Sequence, residues 1–152
     1  MGMVEGSASV VINRPVAEVF AAITDITRMG EWSPECVSGR WIAPAAGPAV
    51  GASFEGDNIA KLGPVTLKKW TTTSEVTACV ENEVFEFSAE GYTTWRYDFK
   101  AEGESTTVTE SFSYPQYEGF QKFLYVTIAR RDKGLATAVQ ATLNRIKAVL
   151  EA

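Results

Sequence analysis

From about Glu118 to Glu151 the chain carries the period of a single long amphipathic helix. Phe120, Phe123, Leu124, Ile128, Leu135, Val139, Leu143, Ile146 and Leu150 recur at three- and four-residue steps, which puts them on one helical face. Lys122, Arg130, Lys133, Gln140, Arg145, Lys147 and Glu151 fall mostly between them. About 34 residues at about 1.5 Å each make a rod of about 50 Å. Nearly everything before this segment has the character of strand, so other helices cannot cover its apolar face. The arrangement this leaves is a long helix lying across a sheet.

The order of elements supports that arrangement. Ser7 to Asn13 is short, apolar and β-branched, and predicts a strand. Pro15 suits the first turn of a helix, with Asn13 as the expected N-cap, and Val16, Val19, Phe20 and Ile23 share one helical face. Asp25 is the expected cap of a second short helix, Ile26 to Met29, which Gly30 should close. Pro34 turns the next stretch into a loop. Strands are then expected at about 36–43, 51–60, 64–78, 83–90, 92–101 and 105–114, with turn residues at each break and Pro115 stopping the last. Short connections between consecutive strands imply an antiparallel meander. No repeat or linker divides the chain, so residues 1–152 are expected to form one domain.

Several function classes fall away on composition. The net charge is −5 and the basic residues are scattered, which argues against a nucleic-acid partner. No run reaches the roughly 18 apolar residues of a membrane span, so no integral membrane association is expected. Met1 to Gly6 has neither the basic start nor the apolar core of a signal peptide, and position 6 lacks the Ser or Thr of a myristoylation signal. A cytoplasmic location is the expectation. The chain has no histidine, and its two cysteines, Cys36 and Cys79, lack metal spacing. A Ser-His-Asp triad, a Cys-His dyad and an ordinary zinc site are thereby excluded, and no cofactor is expected. Any catalysis must use carboxylates, tyrosines, lysines, arginines or water.

One strand, two short helices, six strands and a long helix is an order with known relatives. Arg14-Pro15-Val16-Ala17-Glu18-Val19-Phe20, Asp25 with Glu31-Trp32-Ser33-Pro34, Val50-Gly51-Ala52-Ser53-Phe54, Thr94-Trp95-Arg96-Tyr97 and Thr107-Val108-Thr109-Glu110-Ser111 cover nearly the whole chain between them. With them the sequence resembles the START-like and Bet v 1-like superfamily, and within it the polyketide cyclase/dehydrase and lipid-transport group. The resemblance implies an α+β helix-grip fold: a curved antiparallel seven-stranded sheet wrapped around a long C-terminal helix, with two short helices after the first strand. It also implies a cavity between sheet and helix for a lipid, a polyketide or another small hydrophobic molecule.

Strand alternation selects the residues that would face that helix. Trp95, Tyr97 and Phe99 share one face of the strand near 92–101, and Val108, Glu110 and Phe112 share one face of the next. A hairpin turning at Glu102 to Ser105 pairs Phe99 with Val108, Tyr97 with Glu110, and Trp95 with Phe112. Glu110 is the outlier, a carboxylate on the apolar side. A buried carboxylate must be partnered, protonated or beside water in a cavity. It either tidies the interior through the Tyr97 hydroxyl or a basic side chain, or it lines a pocket and orients a polar group of a ligand. Acid/base catalysis is a third role, for which the sequence completes no mechanism.

The same alternation adds Phe85, Phe87 and Ala89, then Trp70, Thr72, Ser74 and Val76, then Phe54 with Asn58. Each aromatic alone reads as core packing, yet together they match an apolar pocket with few polar groups. Trp32 either borders the cavity mouth, as the resemblance implies, or plugs the sheet edge. Phe123, Leu124, Ile128 and Arg131 are the expected wall on the long helix, with Arg131 spaced to look toward Glu110. Gly134 interrupts that helix, and Tyr114 to Phe120 has the turn residues and aromatics of a gate.

The leading expectation is a binding protein for a small hydrophobic molecule. An aromatase/cyclase-like enzyme is the alternative, with Glu110, Tyr97 and Asn58 as its candidate polar groups; the lack of histidine counts against it without eliminating it. A third reading is regulatory, because some bacterial members of the group it resembles are components of toxin–antitoxin pairs. The sequence leaves ligand identity and oligomeric state open.

Overall fold

The structure, a computed structural model, describes residues 3–115 and 131–152, with side chains of the last helix described from Thr137 onward. The described strands are β1 (Met3–Ile12), β2 (Cys36–Trp41), β3 (Ser53–Leu62), β4 (Val65–Val80), β5 (Val84–Ala89), β6 (Thr93–Glu102) and β7 (Ser105–Pro115). They form one antiparallel sheet in the order β1-β7-β6-β5-β4-β3-β2. Helix α1 (Val16–Thr24) and a 3₁₀ helix (Ile26–Glu31) follow β1, and helix α2 (Arg131–Glu151) ends the chain. This is the helix-grip arrangement. No helix of the described residues is long and apolar enough to cross a membrane.

Each strand from β2 to β7 hydrogen-bonds its neighbour in sequence, as short connections dictate. Asn82, Glu90, Gly63, Gly91 and Gly103 take positive φ in the connections, where a tight reversal needs it. Register shifts at Cys36/Ser38, Ala60/Lys61 and Val76/Ala78 mark bulges, which bend and twist the sheet. One face alternates into the interior along the whole of β7, where Thr106, Val108, Glu110, Phe112 and Tyr114 are all buried.

Helix α2 packs against β1, β7 and the 3₁₀ helix. Val139, Leu143, Ile146 and Leu150 form its buried stripe at steps of four, three and four residues. Burying each such side chain contributes about 1.5–3 kcal/mol. The helix is also tied at its polar edge. Arg145 Nε donates to the Trp32 carbonyl at 2.7 Å, and Lys147 Nζ donates to the Val11 carbonyl at 2.7 Å. The Asn13 amide donates to Glu151 Oε2 at 2.7 Å.

Three local expectations are corrected. β1 starts at Met3 rather than Ser7, because its first residues are held by β7 out to Pro115 although Glu5 and Gly6 carry no strand propensity. Pro15 itself is the N-cap of α1, with no side-chain cap; the Asn13 carboxamide oxygen instead accepts from the Ser105 hydroxyl at 3.0 Å. Gly30 does not close the 3₁₀ helix but lies inside it, where a side chain would collide with the Val37 carbonyl of β2. Asp25 does cap that helix, accepting from the Thr27 amide at 3.1 Å.

Candidate functional site

The β6–β7 hairpin has the register that alternation predicts. Phe99 lies opposite Val108, Tyr97 opposite Glu110, and Trp95 opposite Phe112. On the far side of β7, Ala8 of β1 lies opposite Glu110, and Gly6 lies opposite Phe112. On the far side of β6, Phe85 lies opposite Tyr97 and Phe87 opposite Trp95. Glu110 is therefore flanked by an alanine and a tyrosine, within rows of aromatic and aliphatic side chains.

The Glu110 residue is 5% exposed. Burial pushes its carboxyl up to about 8, and the hydrogen bond with the Tyr97 hydroxyl pulls only partly the other way. Tyr97 is raised as well, by burial first and then by the neighbouring carboxyl. Glu110 Oε1 has no hydrogen-bond partner among the described residues. The site thus holds a carboxylic acid, neutral below about pH 8, with one oxygen free among described partners.

Aromatic rings extend from this pair across the concave face. Trp95 and Phe112 have ring centroids 5.8 Å apart, and Phe112 and Tyr114 stack at 6.3 Å. Phe85 lies 5.7 Å from Phe87, which meets Phe54 edge to face at 5.1 Å. Trp41 in turn meets Phe54 edge to face at 5.5 Å. Phe54, Phe85, Phe87, Trp95, Tyr97, Glu110 and Phe112 are thus brought onto one surface.

The remaining sequence candidates sit differently. Asn58 is buried, but its amide nitrogen already donates to the Gly56 carbonyl at 3.1 Å, the Thr72 hydroxyl at 3.2 Å and the Trp70 carbonyl at 3.4 Å. It ties β3 to β4. Trp70 is half-buried and stands outside the hydrophobic core, with Lys68 Nζ 5.5 Å from its ring centroid. Trp32 is buried within the core, and Arg28 lies over its ring at 5.4 Å. Phe123, Leu124 and Ile128 lie outside the described residues. Arg131 opens the described part of α2, and its side chain lies outside the description.

Alternation carried one step further along β7 reaches Tyr114, a buried aromatic and the first residue of the expected gate, whose residues 116–120 lie outside the described residues. Its ring stacks on Tyr92 at 6.1 Å, and the Tyr92 hydroxyl donates to the Pro115 carbonyl at 2.8 Å. Gly6 was missed with the start of β1. A Cβ there would stand 2.6 Å from Phe112 Cζ, so the glycine admits the Phe112 ring.

Two open depressions occur among the described residues. One, of 390 Å³, lies beside Ser7, Arg96 and Ser111, where Arg96 is held by Glu86 at 3.2 Å and Asp98 at 3.0 Å. The other, of 430 Å³, lies between Ala21 of α1 and Val149 of α2. Neither collects the concave aromatic set; Phe112 alone borders the first. No group of three His, Cys, Asp or Glu among the described residues could hold a metal ion. Burial raises the thiols of Cys36 and Cys79, which disfavours the reactive thiolate.

A curved antiparallel sheet holding a terminal helix, with an aromatic concave face and one buried acid, defines a helix-grip domain. The chain belongs to the polyketide cyclase / dehydrase and lipid transport family, whose model matches residues 3–151. It is similar to the polyketide-cyclase-like protein Cgl2372 of Corynebacterium glutamicum, at 31% identity over 99% of this chain and 93% of that one, with a TM-score of 0.71. The Zhui aromatase/cyclase of Streptomyces sp. R1128 shares the fold at 13% identity, covering 99% of this chain and 94% of that one, with a TM-score of 0.69. So does the di-domain aromatase/cyclase StfQ of the steffimycin pathway, at 12% identity, with 98% of this chain matching 51% of that protein and a TM-score of 0.72. No functionally curated protein matches the chain.

Proposed function

We propose that the protein binds a small hydrophobic molecule, a lipid or polyketide-like compound, between the concave face of the sheet and the C-terminal helix. The observation that carries this reading is Glu110. A carboxyl group that is 5% exposed, with one oxygen unpartnered among the described residues, sits where apolar packing would be cheapest. A ligand with one polar group amid apolar surface would satisfy it. Trp95, Phe112, Phe87 and Phe54 would supply the apolar wall, and Phe123, Leu124, Ile128 and Arg131 the helix side. Trp32, Asn58 and Trp70 would border the chamber rather than line its centre.

Native mass spectrometry of the purified protein, followed by titration with a hydrophobic library, tests this. The expected result is a one-to-one complex with a co-purified or added apolar molecule. A protein that carries none and takes up none would overturn the proposal.

An aromatase/cyclase-like activity is the second reading, favoured by one observation. An acid raised to about 8 is protonated at neutral pH and could donate that proton to a ligand carbonyl oxygen, with the Tyr97 hydroxyl alongside. Glu110→Gln separates the two readings. It preserves the shape of the site, so binding should survive while turnover of a poly-β-keto substrate is lost. Turnover that persists in this variant would remove Glu110 as the acid.

A further inference from the structure

The β3–β4 hairpin extends past both of its neighbours. β2 pairs with β3 no further than Asn58, and β5 pairs with β4 no further than Ser74. Beyond those points the two strands run as an arm that reverses through Gly63-Pro64. Its end is apolar and open to solvent. Leu62 is 71% exposed, Val65 57% and Leu67 64%. Leu62 and Val65 face each other across the turn, and Leu67 is the extra residue of a bulge next to it. Nothing in the fold of the arm requires leucines there, because a two-stranded tip gains little from exposed apolar side chains.

Charge marks the same arm. The chain as a whole carries −5, yet residues 58–74 contain Lys61, Lys68 and Lys69 and no Asp or Glu. Elsewhere Arg28, Arg40, Arg96 and Lys147 are held in ion pairs. The three lysines of the arm enter no ion pair among the described residues. Among the described residues, an acidic protein therefore presents a basic arm with an apolar tip.

We propose that this arm docks the protein on the surface of an anionic phospholipid bilayer. The spacing fits such a surface. At about 3.3 Å per residue, Lys68, which lies opposite Ala60, stands about 7 Å behind Leu62, and Trp70, opposite Asn58, stands about 13 Å behind it. Leu62, Val65 and Leu67 would enter the acyl boundary, to the depth of about 5–10 Å typical of interfacial segments. The lysines would then meet the phosphates, and Trp70 would lie on the headgroup side, where its amphipathic ring is favoured. The unpaired outer edges of the arm keep the contact shallow, since open strand edges are excluded from hydrocarbon. A second copy fits less well on this arm, because two such tips carry like charge. The proposal stands apart from what the concave face holds.

Flotation of the intact protein with phosphatidylcholine vesicles, with and without phosphatidylglycerol, tests it. The protein should float with the phosphatidylglycerol vesicles only, and added salt should release it. Changing Lys61, Lys68 and Lys69 together to Gln should weaken binding on the order of a hundredfold. Leu62→Ser with Val65→Ser and Leu67→Ser should weaken it more than about tenfold. Both variants should melt like the wild type, since every altered side chain is exposed. Wild-type protein that stays with the soluble fraction would overturn the proposal, as would binding that both variants retain. Vesicle binding that is absent while the serine variant abolishes self-association in sedimentation would assign the arm to a second copy instead.

Discussion

Tyr97 and Glu110 lie directly opposite each other on β6 and β7, buried on the concave face, with the tyrosine hydroxyl hydrogen-bonded to the carboxyl. The pair fixes the ionisation of the interior. Burial moves the acid from its ordinary 4.5 to about 8, so the folded protein keeps a proton that the unfolded chain releases.

Stability should therefore fall as pH rises from about 4.5 to about 8. Below that window both states hold the proton, and the contribution of Glu110 is fully present. Within it the unfolded chain alone ionises, and stability declines by up to about 1.4 kcal/mol per pH unit from this group. Glu110→Gln should flatten this slope and be more stable than the wild type at the upper end. Urea unfolding across the window checks it; an unchanged slope in the variant would assign the dependence to other groups.

Tyr97→Phe keeps the ring and removes the hydroxyl. The hydrogen bond to Tyr97 lowers the acid, so its loss should push Glu110 higher still. The cost should be about 1–3 kcal/mol, that of stranding a buried polar group. Carbon-13 NMR titration of the glutamate carboxyls and urea unfolding read the two effects. A downward move of the Glu110 titration would contradict the assigned partnership.

Phe54→Ala removes the ring that links Trp41 to Phe87 and should destabilise the protein by about 3–5 kcal/mol. Trp70→Ala should cost less than about 1 kcal/mol despite the larger side chain, because that ring is half-buried and stands outside the hydrophobic core. Comparable losses in the two variants would show that Trp70 is packed as tightly as Phe54.

Two glycines should respond unequally to alanine. At Gly6 the added Cβ meets the far end of the Phe112 ring at 2.6 Å, and the ring can tilt away for about 1–2 kcal/mol. At Gly39 it meets the Ile26 carbonyl oxygen at 2.5 Å, where only a backbone shift of β2 against the 3₁₀ helix gives relief. Gly39→Ala should cost about 3 kcal/mol or more. Thermal melts of both variants decide the order.

Much of this fold is legible in the sequence. The meander of β2 to β7 follows from the short connections, and the pairings Phe99 with Val108, Tyr97 with Glu110 and Trp95 with Phe112 follow from period-two alternation, because a one-residue slip would turn every apolar side chain to solvent. Where the pattern is weak, the reading falters. Glu5 and Gly6 show no alternation, and β7 alone makes them strand. Gly30 signals a helix end locally, yet its role is set by a carbonyl seven residues away on β2. The bonds from the Asn58 amide nitrogen to Gly56, Trp70 and Thr72 were hidden as well, because they depend on the register of β3 against β4. The exposure of Leu62, Val65 and Leu67 was equally hidden, since apolar strand residues read as core unless the ends of the neighbouring strands are known.

The proposed function requires that an apolar ligand reach Glu110 on the concave face. The most direct test is an NMR titration of carbon-13-labelled protein with the neutral apolar probe phenylnaphthylamine. Shifts of the Glu110 carboxyl carbon and of the Trp95 and Phe112 ring signals, saturating at one probe per protein, are the predicted result. Saturable shifts confined to the convex face around Arg96 and Ser111, or no saturable shifts at all, would contradict it.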